Sequence, residues 1–446
     1  MTAQEVFNNW KENIKENDEF FKEINKLENA NEIEEKFSKQ LAFNAAGTKA
    51  AVGLGTNKLN VYTVRRLSLG LSHYLNSAEK DGAVVIAFDT RKDSQRIAKS
   101  AAEILATYNR KVYIFRTPMP VSVLSYAIRY IKADAGIMIS AGSSLKQLNG
   151  FKVYAGHGGL ISAEAASGIE QEINKIEDIF NIERRIFDDL LLRSKVFYVP
   201  QIVYENYIEE TLALRLETGS FNMKVVYTPL SGSGNLPVRE MLKSSGYKRV
   251  DIVAKQENAD GEFASCNPPD PENAECVALA IEQAKASAAD IILATDPDAE
   301  KLGVLVSGKD GFVQLSSDDA GALLLNYILT RCKEKNILFK SPVAIKSKTE
   351  SSLAMSIAKD RKIELVETQG GFRFIGEYIE NLAKQGRAKD LVFAYTENGG
   401  FLFGTLARDA DSVLASMLFC DMAAYYKKKK KDLITVLEGL KAKYGK

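Results

Sequence analysis

Histidine is nearly absent from this 446-residue sequence, which contains only His73 and His157. A histidine-based metal centre or proton relay therefore has almost no residues from which it could be built. His73 falls in the helical pattern V-R-R-L-S-L-G-L-S-H-Y-L, which predicts a packed or surface residue. His157 lies in the loop A-G-H-G-G, where it would face either a cleft or, more commonly, solvent.

Cysteine, unbalanced charge and long apolar runs are also scarce. The four cysteines, at positions 266, 276, 332 and 420, lack metal-ligand spacing, so we expect reduced thiols in a cytosolic protein. The 59 lysines and arginines nearly equal the 58 acidic residues, so the chain has no large excess of positive charge that would attract nucleic acid. No stretch reaches the ~18 apolar residues of a membrane span, and the polar N-terminus is unlike a signal peptide. We therefore expect a cytoplasmic protein with neither nucleic acid nor a membrane as partner.

The chain is long enough for about three domains. Helical periodicity rich in Glu and Lys predicts one or two amphipathic helices in a helical extension over residues 1–40. Apolar strand-like runs then alternate with helical segments in three stretches of similar pattern, predicted to be domains at 41–205, 206–315 and 316–446. This rhythm predicts an α/β fold of three related domains with mixed, mostly parallel sheets.

Two loops after apolar strands could carry chemistry. The stretch I-S-A-G-S-S-L-K-Q-L-N-G-F-K-V-Y (139–154) places Gly142, Ser143 and Ser144 in a tight turn, where a nucleophile or phosphate often lies. The strand D-I-I-L-A-T is followed by Asp296, Asp298 and Glu300, whose alternating carboxylates favour Mg²⁺. Asp-Pro-Asp also caps ordinary turns well, which is the structural alternative for this second loop.

Several stretches occur in an order that extends from about residue 10 to the end of the chain. They are F-N-A-A-G-T-K-A (43–50), F-D-T-R-K-D-S (88–94), T-P-M-P (117–120), the 139–154 stretch, V-Y-T-P-L-S-G-S-G-N (226–235), A-T-D-P-D-A-E-K-L-G (294–303), F-R-F-I-G-E-Y-I (372–379) and F-A-Y-T-E-N-G-G-F (393–401). In these stretches the sequence resembles the phosphoglucomutase/phosphomannomutase family, the α-D-phosphohexomutases. The resemblance implies a fold of four domains around a cleft and phosphoryl transfer between a phosphoserine and a sugar. It also implies that the chain ends where the fourth, phosphate-binding domain would begin, so we expect that domain to be absent.

The resemblance assigns roles to positions, and several of these positions depart from the family pattern. The catalytic loop Thr-Ala-Ser-His-Asn-Pro aligns with residues 140–145, so Gly142 stands where the phosphoserine would be and Ser143 replaces the histidine. The metal loop keeps Asp296 and Asp298, with Glu300 as third ligand of a weakened Mg²⁺ site. The predicted substrate-binding residues are Lys49, Arg91, Lys152, Lys301, Glu397 and Asn398.

These departures lead to a hypothesis about function. The sequence predicts a phosphoglucomutase/phosphomannomutase-like protein of carbohydrate metabolism that has lost mutase activity and acts as a binding or regulatory scaffold. Its ligand would be a sugar phosphate, and its protein partner a full-length mutase or a second copy of the chain. The alternative is an active isomerase, an intramolecular phosphotransferase on a hexose or pentose phosphate that uses Ser143 or Ser144 with Mg²⁺. A third possibility is a Mg²⁺-dependent phosphatase that uses the carboxylate loop.

Overall fold

The N-terminal extension forms three short helices rather than the predicted one or two. The computed structural model describes residues 1–219, 221–309, 311–348 and 351–445. The three helices are α1 (Ala3–Asn13), α2 (Phe21–Lys26) and α3 (Ala30–Phe37). They enclose a small core around Trp10, whose ring makes edge-to-face contacts with Phe37 and Tyr62. The Asn29 side chain caps the start of α3, and this local cap divides the helical pattern.

The first α/β domain is built on a six-stranded sheet of order β1-β5-β4-β2-β3-β6. Strands β2, β3, β4 and β6 are parallel, whereas β5 and β1 add antiparallel at one edge. The elements are β1 (Thr48–Ala51), α4 (Val61–Ser77), β2 (Val84–Phe88), α5 (Ser94–Thr107), β3 (Val112–Ile114), α6 (Val121–Ile131), β4 (Ala135–Ile139), β5 (Leu148–Ala155), α7 (Ala163–Asn174), α8 (Phe187–Leu192), β6 (Val196–Tyr198) and α9 (Gln201–Ala213). Every residue of β2 and β4 is buried, as expected for central strands covered by helices on both faces.

The second domain has a five-stranded sheet of order β11-β10-β9-β7-β8, in which β8, β7 and β9 are parallel and β10 and β11 antiparallel. Its elements are β7 (Lys224–Thr228), α10 (Asn235–Ser244), β8 (Arg249–Ile252), α11 (Ala254–Glu257), α12 (Ala274–Ser287), β9 (Ile291–Thr295), β10 (Leu302–Gly308) and β11 (Gly311–Gln314). A disulfide joins Cys266 to Cys276, with 5.0 Å between their Cα atoms. The expectation of reduced thiols is wrong for this pair, because the fold brings the loop before α12 against its first turn. Cys332 and Cys420 are free and buried.

The third domain has a four-stranded sheet of order β13-β12-β14-β15, parallel except for β15. Its elements are α13 (Ser317–Glu334), β12 (Val343–Ser347), α14 (Leu353–Arg361), β13 (Glu364–Thr368), α15 (Phe372–Lys384), β14 (Leu391–Tyr395), β15 (Phe401–Leu402), α16 (Ser412–Lys428) and α17 (Leu433–Tyr444). The predicted class of three α/β domains with mixed, mostly parallel sheets is confirmed. No helix among the described residues is long and apolar enough to cross a membrane.

Candidate active site

The loop at residues 140–145 is held in shape by Arg91. This loop follows β4, and Arg91 follows the neighbouring parallel strand β2, so both lie at the same edge of the sheet. The Arg91 guanidinium donates to the backbone carbonyls of Gly142 (2.6 Å), Ser144 (2.8 Å) and Leu145 (2.9 Å). A buried ion pair with Asp89, at 3.1 Å, neutralises its charge. Only 4% of Arg91 is exposed, so this predicted substrate ligand positions the loop in the structure.

Gly142 adopts a left-handed conformation with φ of +54°. Its N–H donates to the Ser140 hydroxyl at 2.9 Å. A Cβ atom at this position would lie 3.3 Å from Asp296 Oδ2 and 3.7 Å from Asp298 Oδ1. A side chain at position 142 would therefore point at the carboxylate loop of the second domain.

Ser143 and Ser144, the predicted substitutes for a nucleophile, are half-buried at the tip of the same loop. Ser144 Oγ accepts a hydrogen bond from Lys49 Nζ at 3.2 Å. Lys49 comes from β1, which pairs antiparallel with β5 beyond the loop. The structure thus brings these predicted residues together at one side of the cleft.

The carboxylate loop follows β9 and turns sharply through Ala299, whose φ is +53°. Asp296 and Asp298 are buried, with 1% and 0% of their surface exposed. Asp298 Oδ2 accepts hydrogen bonds from Ser140 Oγ at 2.8 Å and from Lys152 Nζ at 3.4 Å. The same ammonium donates to Glu300 Oε2 at 2.9 Å, so Lys152 bridges two of the three predicted metal ligands.

Burial and neighbouring charges shift the pKa values of these groups in different directions. Burial and the neighbouring Asp298 carboxylate raise the pKa of Asp296 well above its usual range. Burial also opposes ionisation of Asp298, but the Lys152 ammonium and the Ser140 hydroxyl outweigh it and lower the pKa of Asp298. Burial disfavours the charged form of Lys152, yet Glu300 and Asp298 raise the pKa of its ammonium overall. The pKa values of the two aspartates are thus shifted in opposite directions, and the ionised form is favoured on Asp298, the carboxylate that pairs with Lys152.

The predicted magnesium ligands do not form a cation site as they stand. Among the described residues, no three His, Cys, Asp or Glu side chains are arranged to hold a metal ion. Glu300 is turned toward Lys152, and Asp296 Oδ1 accepts from the Lys301 backbone N–H at 2.9 Å. The magnesium site stays a prediction.

The third wall of the cleft is the loop after β14. The Glu397 N–H donates to Ser347 Oγ at 2.9 Å, and Asn398 Nδ2 donates to Glu397 Oε1 at 3.2 Å. Thr396 is buried and accepts from the Gly400 N–H at 3.1 Å.

These loops enclose a cavity of about 590 Å³. The predicted site residues that line it are Lys49, Gly142, Ser143, Ser144, Lys152, Asp296, Glu300, Lys301 and Asn398. Arg91, Asp298 and Glu397 are not part of its lining and support residues that are. Three domains thus contribute to one cleft.

Sequence reasoning missed an adjoining lobe of about 630 Å³, which shares Lys152 and Glu300 with the first cavity. Its wall includes Phe372, Arg373 and Phe374 at the start of α15. Nothing in the local pattern around F-R-F distinguishes such residues from an ordinary amphipathic helix.

Asp409 was missed as well. It is buried behind Lys152, where Tyr154 Oη donates to its carboxylate at 2.9 Å. Burial and the nearby Glu300 raise the pKa of Asp409 to about 7. The available signal is the pair of aspartates in A-R-D-A-D (407–411), just before α16, which by itself assigns no role to either residue.

His157 lines neither lobe of the cleft. Its Nδ1 accepts from the Gly159 N–H at 3.2 Å in the turn that follows β5, and burial lowers its pKa.

Family models match most of the chain. Residues 40–180 match the alpha/beta/alpha domain I of phosphoglucomutase/phosphomannomutase, residues 203–309 match domain II, and residues 316–443 match domain III. The chain belongs to the phosphoglucomutase/phosphomannomutase family. A phosphoglucomutase from Staphylococcus epidermidis is 32% identical over 441 residues, which cover 98% of this chain and 79% of that protein.

Solved structures share the phosphohexomutase fold. A family protein from Burkholderia thailandensis aligns with a TM-score of 0.69 at 19% identity, covering 89% of this chain and 79% of that chain. An N-acetylphosphoglucosamine mutase from Aspergillus fumigatus, solved with GlcNAc-6P and magnesium, aligns with a TM-score of 0.54 at 15% identity. That alignment covers 87% of this chain and 78% of the other. At these identities the likeness establishes the fold.

Proposed function

We propose that this family member binds a phosphorylated sugar in the cleft without passing its phosphoryl group through the loop at 140–145. Gly142 is the observation that carries the proposal. A carrier of the phosphoryl group needs a nucleophilic atom, and position 142, where a side chain would point at Asp296 and Asp298, has no side chain. The protein would then act as a binding or regulatory scaffold in carbohydrate metabolism.

The neighbouring hydroxyls are poorly placed to replace the missing one. Ser140 is 1% exposed, and its Oγ already donates to Asp298 and accepts from the Gly142 N–H. Ser144 Oγ accepts from the Lys49 ammonium and lies two positions along the loop from residue 142, whose side chain would point at Asp296. Phosphoryl transfer depends on alignment of the attacking atom, so a displaced hydroxyl is a poor substitute.

Three lysines support the proposed binding of an anion in the cleft. Lys49, Lys152 and Lys301 all line the cavity, and the half-buried Ser143 and Ser144 supply hydroxyls. Nearby Asp270 outweighs the effect of burial and raises the pKa of Lys301, which keeps its ammonium charged. Three ammonium groups around one cavity suit the phosphate of a sugar phosphate.

Magnesium fits the cluster in part. Among the described residues, Asp298 Oδ1 is a buried acceptor without a hydrogen-bond partner, beside the space that a side chain at 142 would fill. Asp296 and Asp298 would hold the ion, with Glu300 as a third ligand once it leaves Lys152. Bound there, magnesium would neutralise charge on a phosphate oxygen. The Aspergillus mutase, which has a related fold, was solved with magnesium, and this supports magnesium as the cation to test here.

Intact mass analysis after incubation with glucose 1,6-bisphosphate and Mg²⁺ tests the absence of transfer. We expect no phosphate adduct on the natural protein, and a single adduct on the matched Gly142→Ser variant, whose hydroxyl would face Asp296. An adduct on the natural protein that maps to Ser143 or Ser144 would overturn the proposal.

Calorimetry with glucose 6-phosphate tests binding. We expect saturable binding that weakens about tenfold in Lys301→Ala, because a charge-assisted contact is lost. No binding to the natural protein at millimolar ligand would refute the scaffold function, whatever the mass result.

The second candidate is an active intramolecular phosphotransferase that uses Ser143 or Ser144 with Mg²⁺. The Lys49–Ser144 contact favours Ser144 over Ser143, because Lys49 would also hold the transferred phosphate close to that hydroxyl. This candidate predicts glucose 1-phosphate turnover that disappears in Ser144→Ala and persists in Ser143→Ala.

The expected protein partners, a full-length mutase or a second copy of this chain, stay a prediction. Light scattering of the purified protein, alone and mixed with a four-domain phosphoglucomutase, would measure both associations.

A further inference from the structure

A second pocket lies in the first domain, between α4, α5 and the segment at 184–187. It has a volume of about 380 Å³ and shares no lining residue with the cleft. Four cationic side chains line it, and Glu103 is its one carboxylate. The cations are Arg65, Arg96, Lys99 and Arg184.

The positive charges in this pocket are incompletely neutralised. Arg184 is paired with Glu103 at 3.3 Å, and Arg96 is paired outside the pocket with Asp93 and Glu19. Within the part of the chain that the structure describes, Arg65 and Lys99 have no salt-bridge partner. Each lies over an aromatic ring instead, Arg65 at 5.2 Å from the Tyr62 centroid and Lys99 at 5.1 Å from that of Phe187.

Two residues that line the pocket carry buried polar atoms without partners. Ser100 is 4% exposed, and its hydroxyl has no hydrogen-bond partner among the described residues. Arg65 Nε is likewise buried without an acceptor. An unsatisfied buried donor costs about 1–3 kcal/mol, so an acceptor that reached these donors from the pocket would offset that cost.

The electrostatic environment of Arg65 agrees with this picture. Burial lowers the pKa of its guanidinium, and the neighbouring Arg184 lowers it further. An anion placed between the two guanidinium groups would relieve their repulsion and would accept hydrogen bonds from both. Guanidinium groups present paired N–H donors that match the oxygens of a phosphate.

We propose that this pocket binds a compact phosphate-type oxyanion, either free phosphate or the phosphate group of a small metabolite. Arg65 and Arg184 would hold the oxyanion from two sides, Ser100 would donate its hydroxyl, and Lys99 would supply further charge. The pocket lies on the helical side of the domain, where α4 also packs against the N-terminal helices through Tyr62. The proposal is independent of what happens in the cleft.

Calorimetric titration with inorganic phosphate at constant ionic strength tests the site. Arg184→Gln should weaken binding about tenfold or more, because it removes a charged donor. The side chain of Arg184 is 41% exposed, so this change leaves the fold intact. Arg185→Gln, an exposed neighbour that does not line the pocket, is the matched control and should bind as the natural protein does.

A second pair of variants removes the serine hydroxyl. Ser100→Ala should weaken phosphate binding several-fold. Ser68→Ala deletes another buried, unpartnered hydroxyl that lies on α4 outside the pocket, and should have no effect. Equal affinity of Arg184→Gln and Arg185→Gln for both inorganic phosphate and glucose 6-phosphate would overturn the proposal, as would binding that is lost only in the cleft variant Lys301→Ala.

Glucose 6-phosphate titrated into Lys301→Ala, whose cleft is weakened, distinguishes the two sources of the anion. If adding Arg184→Gln to Lys301→Ala weakens the binding of inorganic phosphate and of glucose 6-phosphate to a similar extent, the pocket recognises the phosphate group alone. If only the binding of glucose 6-phosphate is weakened, the pocket is assigned to a phosphorylated metabolite. If the binding of neither ligand is weakened, the proposal is contradicted.

Discussion

The loops at 140–145 and 296–301 lie opposite each other at the cleft and have similar backbone structures. Each follows a fully buried strand, and each turns through one residue in the left-handed region, Gly142 at φ +54° and Ala299 at φ +53°. They differ in what they present. The second loop directs carboxylates into the cleft, whereas the first offers a bare backbone at the point nearest to them. The shape of such a loop and the chemistry of its tip are thus separable properties.

The largest expected effect is on the support beneath the first loop. Arg91→Met would remove the donors that hold three loop carbonyls and would leave Asp89 buried without its partner. We expect a loss of about 3–5 kcal/mol in the free energy of unfolding, measured by urea denaturation. Lys92→Met, at an exposed neighbour, is the control and should stay within about 0.5 kcal/mol. Comparable stability of the two variants would show that Arg91 does not support the loop.

The two buried aspartates of the second loop should differ from each other. Asp298→Asn would remove an ionised carboxylate that accepts from Lys152 and Ser140, at an expected cost of about 1–3 kcal/mol. Asp296→Asn should cost less than the change at Asp298, because the raised pKa of Asp296 shows that its site disfavours the negative charge which the substitution removes. Chemical denaturation of both variants at pH 7 measures the difference, and a reversed order would contradict the opposite pKa shifts of the two groups.

Gly142 and Ala299, the two residues with positive φ, allow a reciprocal pair of substitutions. Gly142→Ala should destabilise the protein by about 1–2 kcal/mol, because a Cβ atom disfavours a positive φ. Ala299→Gly should be neutral or slightly stabilising, since relief of the same strain is offset by a more flexible unfolded chain. Thermal unfolding of both variants provides the test. Equal changes in melting temperature with the same sign would show that strain at positive φ does not explain the effects of both substitutions.

The smallest effect is expected at the tip of the first loop. Ser143→Ala should change stability by less than about 0.5 kcal/mol, because this half-buried side chain contributes little to the framework. A larger loss in the same denaturation assay would mean that the tip supports the loop after all.

Much of the fold could be predicted from apolar runs and their spacing. The apolar runs A-G-I-M-I (135–139) and L-V-F-A-Y (391–395) coincide with β4 and β14, because each continuous buried run ends sharply at polar residues. No such run marks β13, whose E-L-V-E-T sequence is short and only half-buried. The disulfide was missed because residues 266 and 276 meet only when the loop before α12 folds back.

Most of the predicted site residues lie around one cleft, but the ionic contacts among them could not be predicted from the sequence. Lys152 was predicted to bind substrate, and in the structure it pairs with Asp298 and Glu300, which come from another domain. A contact of this kind depends on how two sheets approach each other, and no local pattern records it. The same reason hid Asp409, whose pKa is set by burial and by a carboxylate more than a hundred residues away in the chain.

The grip of Arg91 on backbone carbonyls has an evolutionary consequence. Because the clamp binds atoms that every residue possesses, its own hydrogen bonds do not depend on which side chain stands at position 142. Only the positive φ favours glycine there. Mutation at this position can therefore change the chemistry at the tip of the loop while Arg91 continues to hold the surrounding backbone.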